Sequence, residues 1–144
     1  MTGGMAPERA LLSAPELASY VAAAADGRLA MPRCVACGHV QWPPRPRCGR
    51  CGGELFEVVD VPMRGRLFSW TTTHRAPLPA FVDRVPYTVV IVTLDGVGDA
   101  HQVRVVGRWE QSGIVPDLRQ DDPVTGRVET DAAGYPILLW RHRD

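Results

Sequence analysis

From the N-terminus, apolar positions first recur with the period of a helix. Leu17, Tyr20, Val21 and Ala24 fall at i, i+3, i+4 and i+7 on one face. Ser13, followed three residues later by Glu16, fits a capping box, and Gly27 is the residue type that ends a helix with a left-handed turn. The pattern predicts a helix over 14–26. Its apolar stripe must be buried, either on its own domain or on a partner chain.

From residue 57 onward the period changes to two, with Gly, Pro and Asp as punctuation. Strands are expected at 66–74, 87–94, 101–109, 123–130 and 136–142, with 57–61 as an extended lead-in. Five strands are too few for an ordinary sandwich, and closing them into a barrel removes edges that would otherwise pair with other chains. The expected architecture is a reduced OB-type barrel, because 111–122 is too short and polar for more than a turn of helix. The connection 75–86 holds Pro77, Pro79 and Pro86 and an apolar tip of Leu78, Phe81 and Val82. Loops of that length are often functional. The tip either plugs the barrel mouth or stands ready for a partner.

Between helix and strands lie the chain's four cysteines, spaced Cys34-Val-Ala-Cys37 and Cys48-Gly-Arg-Cys51. Two thiolates separated by two residues can turn to one ion from a tight knuckle, and the second knuckle closes a tetrahedral shell. Such a site has no open position for substrate or activated water, so its role is structural. Gly38, Gly52 and Gly53 stand where a knuckle turns most tightly. Disulfides are the alternative, but the N-terminus has no secretory pattern and a cytoplasmic location is expected. Four thiolates also suit rubredoxin-type iron; the closed tetrahedral pattern points to structural Zn²⁺. His39 beside the first pair is unneeded as a ligand and is expected to be an exposed knuckle residue. The chain thus divides into a tail and helix (1–28), a four-cysteine zinc ribbon (29–55) and an OB-fold domain (56–144), a mainly β protein.

Charge removes some functions. The 144 residues carry 16 basic and 16 acidic side chains, so no global field draws the chain to nucleic acid or an anionic membrane. No apolar run approaches the roughly 18 residues that span a bilayer. Every basic residue is arginine and asparagine is absent, which a G- and C-rich coding sequence explains without chemistry. Arg33, Arg45, Arg47 and Arg50 nevertheless cluster with no carboxylate between Met31 and Gly53. They either offset the net negative charge of a tetrathiolate centre or meet a phosphate or partner. No catalytic set can be assembled: no cysteine is spare, and His74 and His101 have no evident partner.

Beyond these patterns, the chain resembles the DUF35-type acyl-CoA-associated proteins. The likeness runs from about Gly27 to Arg141, through Gly27-Arg28-Leu29, Arg33-Cys34-Val35-Ala36-Cys37-Gly38, Trp42-Pro43-Pro44-Arg45, Cys48-Gly49-Arg50-Cys51, Gly65-Arg66-Leu67-Phe68-Ser69-Trp70-Thr71, Arg75-Ala76-Pro77 and Pro86-Tyr87. It departs at Asp121, where the family usually has glycine. The resemblance implies a rubredoxin-like zinc ribbon before an OB fold. It further implies an accessory subunit of a thiolase-like enzyme (thiolase, acyltransferase or steroid side-chain retro-aldolase), with acyl-CoA shared between the two. Arg45, Arg47, Arg75, Leu78, Phe81 and Val82 are the expected partner or acyl-CoA contacts. Single-stranded nucleic-acid binding is the alternative, with Phe68, Trp70 and Tyr87 as stacking platforms. Against it stand Asp95, Asp99, Asp117, Asp121, Asp122, Glu129 and Asp131, which would repel phosphates.

Overall fold

A computed structural model of the chain describes residues 15–98, 102–130 and 134–144. Ser13 and Ala14 of the expected helix start, and Asp99, His101 and Asp131, lie outside the described residues. The chain forms two compact units: one runs to Val61 and takes in Val128–Pro136, and the other comprises Pro62–Arg127 with Ile137–Asp144.

In the first unit a 3-10 turn, Pro15–Leu17, leads into helix α1, Ala18–Ala25. The helix ends at the expected glycine. Gly27 has φ +74°, the Gly27 N–H donates to Ala24 O (3.0 Å) and the Arg28 N–H to Ala23 O (2.9 Å), a Schellman closure that satisfies two terminal carbonyls. Ala24 of the expected stripe and its neighbour Ala23 are buried where α1 packs on strand β1, Leu29–Cys34, whereas Leu17, Tyr20 and Val21 stay half-exposed, so the stripe is covered only in part within its own unit. Small alanines let helix and strand approach closely. Tyr20 also stacks on Trp42, with ring centroids 5.0 Å apart.

Strand β2, Phe56–Val61, pairs antiparallel with β1 along its whole length, from Leu29↔Val61 to Cys34↔Phe56. The expected lead-in to the barrel is therefore the second strand of the cysteine hairpin.

The second unit is built on β3 (Arg64–Thr73), β4 (Tyr87–Leu94), β5 (Arg104–Trp109), β6 (Pro123–Thr130) and β7 (Pro136–His142), which close a barrel in the order β3-β4-β5-β7-β6. All neighbours with a described register are antiparallel except β5 and β7, where Trp109 lies beside Trp140 in parallel. Strand β4 shows the period of two cleanly: Thr88, Val90, Val92 and Leu94 are buried and their neighbours are half-exposed. Thr88 is the one polar member of that inward row, and its hydroxyl bonds to Thr72 Oγ1 at 2.8 Å. Strand β3 begins two residues before the expected start, because Arg64 and Gly65 pair with Thr125 and Val124 of β6. A bulge at Phe68 shifts the β3–β4 register between Leu67 and Ser69.

At the barrel's centre lies Trp140, fully buried. A Cβ on Gly107 would come within 2.7 Å of its indole, and one on Gly126 within 2.8 Å. The two glycines make the space that the large ring fills.

The turn before β6 explains the departure from the family's glycine. Asp121 has φ 66°, the only positive value at a non-glycine residue among those described. It holds the left-handed conformation that glycine adopts freely and aspartate tolerates. The turn is fastened all the same: the Asp121 N–H donates to Leu67 O (2.8 Å), and Asp122 Oδ2 accepts from the Arg119 N–H (2.9 Å). Asp121→Gly should therefore keep the fold and raise stability by about 0.5–1 kcal/mol. A lowered melting temperature would show that the aspartate side chain stabilises the turn.

A four-cysteine candidate metal centre

The two knuckles are built alike. In the first, the Cys34 N–H donates to His39 O (2.9 Å) and the Gly38 N–H to Cys34 O (2.8 Å); in the second, Cys48 N–H reaches Gly53 O (2.8 Å) and Gly52 N–H reaches Cys48 O (2.9 Å). Gly38 and Gly52 occupy the same place in each, with φ +75° and +78°. A Cβ there would be strained, which is why both CxxC pairs are followed by glycine.

This repeat gathers four sulfurs within 4.8 Å of one another. Cys34 and Cys51 Sγ are 3.6 Å apart and Cys37 and Cys48 Sγ 3.7 Å. A metal with bonds of about 2.3 Å to four tetrahedral sulfurs would separate them by about 3.8 Å, whereas a disulfide needs about 2.05 Å. The cysteines are free thiols, and the geometry fits an ion of that size. Gly53 forms one wall, where a Cβ would stand 3.2 Å from Cys34 Sγ and 3.3 Å from Cys51 Sγ.

Proton affinities show the same fit. The Cys51 N–H, and after it the Arg50 N–H, donates to Cys48 Sγ and holds that thiol down at about 7 against the desolvation that would raise it. At Cys51 the Gly53 N–H pulls the other way, but the sulfurs of Cys34 and Cys37, desolvation and Cys48 outweigh it and push the thiol up to about 11. Four thiols this close cannot all ionise without a cation among them. A bound cation would supply the missing charge.

His39 is half-buried, not the exposed knuckle residue expected, and it is no member of the sulfur cluster. Gln41 was not singled out by the sequence and proves central. Its side chain is buried, with Nε2 donating to Arg47 O (2.9 Å) and Oε1 accepting from the Gly49 N–H (2.6 Å), while its own N–H bonds to Pro32 O (3.0 Å). It clamps the second knuckle onto β1. Gln41→Ala would leave two backbone groups without their partner, at about 1–3 kcal/mol, and should speed metal loss to a chelator several-fold. Gln41→Glu, which keeps the acceptor and loses the donor, should fall between. Equal chelation rates in all three proteins would remove Gln41 from this role.

The arginine cluster is less bare than its sequence window suggests. Arg33 pairs with Glu57 (2.7 Å), directly across the β1–β2 register, and Arg47 with Glu54 (2.8 Å). Arg45 has no ion pair among the described residues and lines a cavity of about 300 Å³ between α1, the β1–β2 hairpin and Pro44–Pro46. In the barrel unit Arg75 is exposed. Loop 75–86 is not featureless: Pro79–Arg84 winds into a 3-10 turn. Phe81 is half-buried against Tyr87 (centroids 5.5 Å apart) with Arg84 over its ring, whereas Leu78 and Val82 remain 56% and 57% exposed. The tip is thus divided between packing and exposure. The six contact candidates fall in two units, Arg45 and Arg47 in one and Arg75, Leu78, Phe81 and Val82 in the other.

A closed four-thiol ribbon with an OB barrel defines a class of two-module protein. Residues 21–57 match the family described as "ChsH2, rubredoxin-like zinc ribbon domain" and residues 58–131 the "ChsH2, C-terminal OB-fold domain". The chain belongs to the ChsH2 family. Benzoylsuccinyl-CoA thiolase subunit BbsA of Thauera aromatica is 30% identical over 127 residues, covering 84% of this chain and 81% of BbsA. A probable enoyl-CoA hydratase alpha subunit of Thermomonospora curvata is 36% identical over 77 residues, and the match spans 54% of this chain but only 24% of that subunit. Among solved structures, a chain of the Ltp2-ChsH2(DUF35) aldolase superposes with a TM-score of 0.75 at 28% identity, over 89% of this chain and 94% of that one.

Proposed function

We propose that this protein is a non-catalytic accessory subunit that binds a thiolase-like enzyme and helps form its acyl-CoA site. One observation carries the reading: the likeness runs nearly end to end with BbsA and with the aldolase chain, both parts of assemblies of that chemistry by name. The ribbon's four sulfurs complete a coordination shell, so the centre holds the fold and offers substrate no open position. Zinc suits this role better than a redox-active ion, and reduced thiols suit the cytoplasm. No helix among the described residues is long and apolar enough to cross a membrane. Exposed Leu78 and Val82, with Arg75, Arg45, Arg47 and Phe81, are the proposed contacts with partner or acyl-CoA.

The nucleic-acid alternative loses one platform, since Arg104 lies 3.9 Å over the Phe68 ring, on a face a base would need. Co-expression with the thiolase-fold proteins of the same genome tests the reading. A stable complex is expected, with acyl-CoA turnover absent from the isolated chain and present in the complex. Turnover by the chain alone, or tight oligonucleotide binding that weakens steeply with salt, would overturn it.

A further inference from the structure

The two cysteine knuckles repeat each other's hydrogen bonds but differ in one residue type. His39 O accepts the Cys34 N–H in the first and Gly53 O accepts the Cys48 N–H in the second, so a histidine and a glycine hold the same station. The station's backbone is therefore open to a side chain. Gly53 also lacks the left-handed φ that accounts for Gly38 and Gly52, so its conformation does not call for glycine.

Space calls for it instead. A Cβ on Gly53 would stand 3.2 Å from Cys34 Sγ and 3.3 Å from Cys51 Sγ, closer than carbon and sulfur settle, and 3.7 Å from Ala36 Cβ. The Gly53 N–H also donates to Cys51 Sγ (3.4 Å). Its O, its N–H and the bare face of its Cα thus meet Cys48, Cys51 and Cys34 in turn.

The two sulfurs would not yield equally to a methyl group there. Cys34 is 1% exposed, its N–H is tied to His39 O and its O to the Gly38 N–H, whereas Cys51 is exposed. Cys51 would be the one to move. Cys34 and Cys51 come from different knuckles and stand 3.6 Å apart, so that movement would widen the sulfur cluster across the knuckles.

We propose that Gly53 is a positioning residue that sets the size of ion the four thiols accept. Bond length and tetrahedral geometry together fix the separation of the sulfurs, and the bare Cα at 53 lets Cys34 and Cys51 approach to the spacing that suits Zn²⁺. With a methyl group at 53 the cluster suits a larger thiolate-binding ion, Cd²⁺, better. The proposal rests on the reading of the four thiols as a metal centre and goes beyond it by naming what selects the ion.

The test loads the full chain with Zn²⁺ and titrates Cd²⁺ against it in the presence of a competing chelator, which gives the ratio of the two association constants. Gly53→Ala should shift that ratio towards Cd²⁺ at least about tenfold, chiefly by weakening Zn²⁺. The ratio isolates the effect, because a ribbon that is merely loosened holds both ions less tightly by the same factor. Gly52→Ala supplies that comparison: it puts a Cβ on a backbone with φ +78° but meets nothing within 4 Å, so both ions should weaken at the wild-type ratio. His39→Ala should keep the wild-type ratio as well. An unchanged ratio in Gly53→Ala, loss of both ions alike, or an equal shift in Gly52→Ala would overturn the role of Gly53 and leave the metal centre standing. A wild-type chain that binds neither ion would remove the metal centre, and the proposal with it.

Discussion

Cys34→Ser or Cys51→Ser should abolish metal binding and unfold the ribbon while the barrel persists. Purified wild-type protein should hold about one zinc per chain through dialysis, and the variants none. The ribbon is expected to depend on a bound ion, because its apolar core is Ala23, Ala24, Leu29, Ala30, Met31, Val40 and Val61, a modest set for a unit of this size. Metal binding in small ribbons is worth about 10–16 kcal/mol, more than such a core can replace. The barrel has its own core of Leu67, Val90, Val92, Val105, Val124 and Trp140. Amide exchange should show loss of protection along β1 and β2 and retention along β4. His39→Ala should keep the metal. The pH dependence follows the thiol protons: at pH 8 Cys48, at about 7, is already ionised, whereas Cys51, at about 11, must release a proton as metal enters. Uptake therefore liberates protons, and acidification favours metal loss. Stoichiometric iron, or full zinc content in Cys34→Ser, would contradict this account.

The second large effect is expected at Gly65. Its Cβ would lie 2.2 Å from Thr93 O and 2.7 Å from Val92 Cγ1. A flexible side chain could move aside, but Thr93 O is backbone in a strand paired on both sides, with β3 and β5. Gly65→Ala must therefore open the β3–β4 seam, at more than about 3 kcal/mol. For a barrel of this size that is a fall of about 12 °C or more in melting temperature. Metal content should not change, because Gly65 belongs to the other compact unit. A melting temperature within a few degrees of wild type would mean that the seam is looser than its geometry implies.

Much of this was legible because it is local. Alternation in Tyr87–Leu94 gave the strand its ends, and two CxxC pairs with following glycines gave the knuckles. What depends on register was not. Glu57 reaches Arg33 only because the hairpin sets them opposite each other, so a window that stops at Gly53 makes the arginines look unpaired. Gln41 reads as any polar residue until folding brings Arg47 O and Gly49 N to it from six and eight positions away. Strand propensity reads 57–61 as a lead-in to the barrel because it says nothing about which partner a strand chooses. The glycine expected at 121 signals a left-handed backbone, and only φ reveals that aspartate accepts it.

The indole of Trp140 has a property that its packing between Gly107 and Gly126 leaves open to use. Its Nε1–H is buried and has no hydrogen-bond partner among the described residues, so no bond must break before it exchanges, yet no water can reach it while the barrel is closed. Its deuterium exchange is a clock for barrel opening alone. Run with and without chelator, that clock would report whether losing the ion in one module alters how often the other breathes.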